Sequence, residues 1–155
     1  MAKAFDFKRM RLFIKIYLVV QVVLIGLLIF SAILFQTGLQ EQGRPQRFLH
    51  SVVVTMVIQL ALFYPISRFA AKEAEREVET SVVGLSGDEL KGLRSKRMLA
   101  DAIKWAVIIF FIIFILRAPN DRFVQSMIFF SFIATMLTYF QCYNFSAKRL
   151  MKEKS

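Results

Sequence analysis

The chain has 155 residues, 57% of them apolar, and a formal net charge of +10. Soluble domains sit near 45–50% apolar, so composition excludes an ordinary water-soluble globule and makes lipid the expected solvent. One cysteine and one histidine exclude an internal disulfide, a paired-cysteine motif, bis-histidine haem and a multi-histidine zinc site.

The first apolar stretch, residues 12–35, is interrupted only by Lys15 and Gln21. It exceeds the roughly 7–15 residues of a cleavable leader's apolar region, so it is expected to stay as an anchor, with Lys15 reaching the headgroups. Gly38, Gly43 and Pro45 then predict a short external loop over residues 36–46. The second stretch, residues 48–66, is followed by a run of strong helix formers, which predicts a helix continuing to about Thr80. Gly84 and Gly87 break it, and Ser86 with Glu89 has the spacing of a capping box that starts a new helix. A helical hairpin over residues 67–97 is the result.

The third stretch, residues 98–116, holds an uncharged core of only twelve residues, Trp105 to Leu116. That length also suits a re-entrant segment, so its crossing rests on charge. Pro119 marks a tight turn before the fourth stretch, residues 123–145. If the amino terminus is cytoplasmic, seventeen Lys and Arg fall inside and only Arg44, Arg47, Arg117 and Arg122 outside. The positive-inside rule then places both termini in the cytoplasm. The expected fold is an all-α integral membrane protein: one four-span domain over residues 1–155, whose cytoplasmic hairpin extends the second and third spans. The expected location is a bacterial cytoplasmic (inner) membrane.

Polar residues inside spans are where function is sought, because an unpaired polar group in hydrocarbon costs several kcal/mol. Gln21, Gln59 and Thr135 are predicted at similar depth, as one hydrogen-bonded layer. Ser51, Thr55 and Gln59 recur every four residues, and Ser131, Thr135, Thr138 and Cys142 share one helix face. These faces are read first as packing surfaces and second as the lining of a path. No Asp or Glu lies deep in a span, which removes the usual residue of proton coupling. His50 is expected as an interfacial polar residue.

In the hairpin, Glu73, Glu75, Glu77 and Glu79 split over two helix faces, which suits a solvated or partner-facing surface better than a cation site. Lys91, Arg94, Lys96 and Arg97 read as a patch for anionic headgroups. Trp105, Tyr17, Tyr64, Tyr139 and Tyr143 are expected at headgroup level. Phe110, Phe111, Phe114, Phe129, Phe130 and Phe132 are expected on a lipid- or partner-facing surface. The functional expectation is a non-enzymatic accessory, assembly or scaffold subunit without a cofactor. It would contact lipids and either a protein partner or further copies of itself, and nucleic acid is not expected. The alternative is a small homo-oligomeric transporter or channel for a neutral or weakly polar solute.

Overall fold

The computed structural model describes residues 4–154, and among these all regular structure is helical. The helices are α1 (Lys8–Glu41), α2 (Gln46–Thr80), α3 (Gly87–Arg117) and α4 (Arg122–Lys154). Each is long and apolar enough to cross a membrane. The third segment, whose apolar core is short, is thus part of one continuous helix of 31 residues.

Short-range rules set most of the boundaries. Asp6 Oδ1 accepts from the Lys8 amide at 3.1 Å and Asp121 Oδ1 from the Phe123 amide at 3.0 Å, each satisfying an amide that a helix start leaves unpaired. Ser86 and Glu89 close the capping box of α3 in both directions. Gly84, at φ 89°, turns the chain just after α2 ends at Thr80.

The first helix departs from the sequence reading. It runs through Gly38 to Glu41, so the connection to α2 is only residues 42–45. Gly38 serves as a gap rather than a break: a Cβ there would come within 2.8 Å of Arg122 Cδ. Its absence lets the Arg122 side chain lie against the last turn of α1, where a positive charge also complements the helix dipole.

The chain runs up and down, with α4 packed mainly on α2 and α1. Residues 4–6, the 81–86 connection and the end of α4 share one end, called the terminal end below. There the Asp6 amide donates to the Ser81 carbonyl at 2.8 Å and the Val83 amide to the Ala4 carbonyl at 2.9 Å. At the opposite, turn end, Arg47 faces Asp121 at 3.7 Å and lies over the Phe123 ring.

One cluster of buried apolar residues lies at the terminal end. Met10 and Ile14 of α1 meet Ala70, Ala74 and Val78 of α2, and Tyr139, Tyr143 and Ala147 of α4. The stretch of α2 beyond its apolar span is therefore no free projection; its small-residue stripe is buried under α1 and α4. At the turn end Phe35 packs on Phe129 and Phe130, and Phe48 on Phe130. Phe129 and Phe130 thus turn inward, whereas Phe110 and Phe114 are exposed as expected of an outer surface. Of α3, only Ala100 is buried.

Candidate functional site

The polar centre of the molecule lies where the terminal-end core meets the apolar spans. Glu73 occupies it. Lys104 Nζ donates to Glu73 Oε1 at 2.5 Å, Tyr139 Oη donates to Glu73 Oε2 at 2.5 Å, and Asp101 Oδ1 stands 2.7 Å from Lys104 Nζ. One carboxylate thereby joins α2 to α3 and α4. A charge-assisted bond to one oxygen and a hydroxyl bond to the other offset part of the cost of taking the Glu73 carboxylate out of water, where its side chain is only 14% exposed.

One turn further along α2, Glu77 is buried between two arginines. Arg9 Nε lies 3.2 Å from Oε1 and Arg97 Nη1 3.8 Å from Oε2. The Arg9 contact is at ion-pair distance but off the line of a hydrogen bond, since Oε1 accepts none. Both guanidinium groups also sit over the Phe13 ring, at 5.4 and 5.7 Å from its centre. Glu77 so ties α2 to α1 and α3.

Around the carboxylates the tyrosines form an internal cluster. The Tyr17 ring lies 4.9 Å from Tyr143, 4.8 Å from Phe140 and 6.3 Å from Tyr139. Tyr139 and Tyr143 are buried inside the bundle rather than on its surface, whereas Tyr64 and Trp105 are exposed. The reason is the fourth helix, which carries Tyr139, Tyr143 and Ala147 at four-residue spacing and so presents them on one face.

Glu73 and Glu77 were expected on a solvated or partner-facing surface, and the structure turns both inward. The signal for this is present in the sequence. Ala70, Ala74 and Val78 mark a face at helical spacing, and at 3.6 residues per turn Glu73 and Glu77 fall on its edge. Glu75 and Glu79 stay exposed on the other side. Of the basic patch, Lys91, Arg94 and Lys96 are exposed while Arg97 is drawn in by Glu77 and Phe13.

Deeper in the spans, Gln59 of α2 bridges to α4. Its Nε2 donates to Thr138 Oγ1 at 2.6 Å and to the Ala134 carbonyl at 3.3 Å, and Thr135 Oγ1 donates to its Oε1 at 3.5 Å. Gln21 does not join this layer: its Nε2 is buried without a hydrogen-bond partner among the described residues, and Thr138 takes the place foreseen for it. The buried residues of α1 lie toward its two ends, Met10 and Ile14 at one and Ser31, Phe35, Gly38 and Leu39 at the other, so Gln21 falls between its two packed regions.

The remaining hydroxyls on these faces bond their own helices. Ser51 donates to the Phe48 carbonyl, Thr55 to Ser51, Thr138 to Ala134 and Ser126 to Phe123, all at 2.7–2.8 Å. Ser51, Thr55, Ser126, Ser131 and Thr135 are all buried. Small side chains satisfied in this way let helices approach closely in lipid. Cys142 is half-buried against the terminal-end core. His50, near the turn end, is exposed and pairs its Nδ1 with the Gln46 carbonyl at 2.7 Å.

No protein-family model, curated protein or solved structure matches this chain.

Proposed function

We propose that this chain is a non-enzymatic integral membrane subunit, with both termini cytoplasmic, that works by holding a partner helix or a further copy of itself. The observation that carries the reading is the unequal packing of α3. In its most apolar stretch 6% of residues are buried, against 28% in α4. Helix association in lipid depends on side-chain packing and interhelical hydrogen bonds, and this helix has few of either within its own chain. Its polar contacts to other helices lie at one end, in Lys104 and Arg97 beside the buried Ala100; beyond them it offers only a half-buried line of Ile108, Phe111 and Ile115, with Phe111 against Phe132.

The charge distribution supports the orientation through the positive-inside rule. It would put the exposed Lys91 and Arg94 on the cytoplasmic side, against anionic headgroups or an acidic partner surface, and fits a bacterial inner membrane. A path through the chain has less support, since Gln59 is engaged by α4 and the hydroxyls of Ser51, Thr55 and Thr138 bond their own helices.

Affinity purification of the full chain from its own membrane in a mild detergent, followed by native mass spectrometry, tests the reading. A defined partner or homo-oligomer is expected, and it should be lost when Phe110 and Phe114 are replaced by Ala or Lys91 and Arg94 by Glu. A solitary monomer would overturn it. Deleting the hairpin is a poor test, because Ala70, Ala74 and Val78 belong to the core.

A further inference from the structure

Beneath the Glu73–Lys104–Tyr139 cluster the bundle is left unfilled. A cavity of about 400 Å³ lies between α2, α3 and α4, open rather than enclosed. Leu62, Pro65 and Ile66 wall it on α2, Ile108 on α3 and Met136 on α4, and Lys104 stands at its polar end. Leu62 and Phe69 both line it, so it runs along at least seven helical steps, roughly 10 Å. The volume lies within the roughly 300–1,000 Å³ of small-molecule sites.

The lining excludes water as the occupant. A buried water needs two to four polar partners, and below Lys104 the walls are almost wholly apolar. A bilayer supplies acyl chains to such a space. The polar end says more about what the chain is attached to.

An ammonium carries three N–H donors. Lys104 gives two to Glu73 and Asp101, which leaves one. Asp101 uses Oδ1 on Lys104, its Oδ2 has no partner among the described residues, and its side chain is 47% exposed. Glu73, Asp101 and Lys104, with Glu77, Arg9 and Arg97 one turn further along, sum to zero charge. What the cluster leaves open is one acceptor, Asp101 Oδ2, beside one Lys104 N–H, and a headgroup that carries both an ammonium and a phosphate is complementary to that pair.

We infer that this cavity is a binding site for an ethanolamine phospholipid. One acyl chain lies along Pro65, Ile66, Ile108 and Met136. The headgroup ammonium donates to Asp101 Oδ2, and a phosphate oxygen accepts the remaining Lys104 N–H. Pro65 contributes to the wall a position without a backbone N–H, which α2 tolerates here in mid-helix.

The test uses the full chain in mixed phosphatidylethanolamine and phosphatidylglycerol vesicles. A photoactivatable acyl chain is carried in turn on trace phosphatidylethanolamine, phosphatidylglycerol or phosphatidylcholine, and the labelled peptides are mapped. The ethanolamine probe is expected to label Ile108 and Met136 several-fold more than the outward-facing Phe110 and Ile113, and the other two probes are not. Asp101→Asn, which leaves the Lys104–Glu73 pair in place, should abolish the preference. Met136→Trp should fill the cavity and lower labelling of Ile108. Uniform labelling around the bundle, or equal labelling of the cavity by all three headgroups, would overturn the inference. The three-probe comparison on the unmodified chain decides it even if a variant fails to fold.

Discussion

The two ends of the bundle are built on different principles. At the terminal end, side chains interlock: Ala70, Ala74 and Ala147 bring backbones together, Tyr139 and Tyr143 fill the centre, and two carboxylates are each held by partners from other helices. Toward the turn end the buried contacts are made by small hydroxyl side chains, Ser31, Ser51, Thr55, Ser126 and Ser131, around Phe35, Leu39, Phe130 and Ile133, while large side chains such as Phe110, Phe114 and Leu60 are left outward. On the proposed topology water would account for the difference. The terminal end would project beyond hydrocarbon, where apolar surface gains by leaving water at about 25 cal/mol per Å²; inside a bilayer that drive is absent and only packing and hydrogen bonds remain.

The contrast is open to mutation, and the largest effect is expected at its strongest point. Tyr143→Ala removes the centre of the terminal-end core and should cost about 3–5 kcal/mol in a denaturant titration of the detergent-solubilised chain. Next is Glu73→Gln, which leaves Lys104 with Asp101 alone in a partly buried site. A loss of about 2 kcal/mol is expected, with recovery of part of it in the double variant Glu73→Gln, Lys104→Met. Full additivity of the two single changes would show that the pair is not coupled.

Smaller effects are expected away from that end. Gly38→Ala should cost about 1 kcal/mol by pushing Arg122 off α1, and the loss should shrink when Arg122 is also Ala. Gln59→Leu, which breaks the α2–α4 bridge, should cost about 0.6 kcal/mol, the mean for hydrogen bonds between membrane helices. Phe110→Ala in lipid vesicles should change stability by less than about 0.5 kcal/mol, since its ring is outward and surface changes fall within that range. A Phe110→Ala loss equal to that of Tyr143→Ala would erase the distinction between the two regions.

How much of this was legible in sequence follows the same division. Local signals placed the four apolar helices, the end of α2 at Thr80 and the capping box at Ser86, because each depends on residues within one turn. Long-range contacts were not legible. Gly38 reads as a helix breaker until Arg122 is known to fill the space beside it. Glu73 and Glu77 read as solvated because their partners, Lys104, Tyr139, Arg9 and Arg97, come from three other helices. Within the layer foreseen at mid-span, spacing alone gave depth but not facing, so Gln59 and Thr135 come together and Gln21 does not.

The most direct test of the central claim compares α2–α3 distances at two depths in lipid nanodiscs. Spin-label pairs would be placed at the exposed positions Glu75 and Leu99 near the terminal end, and Val57 and Ile112 in mid-span, with Cys142 replaced by Ser. A third helix held by the Lys104–Glu73 and Arg97–Glu77 pairs at one end, and by only half-buried side chains such as Phe111 beyond them, predicts a narrow distance distribution for the first pair and a broad one for the second. Equally narrow distributions in the isolated monomer would contradict it, because α3 would then be fixed along its length by its own chain.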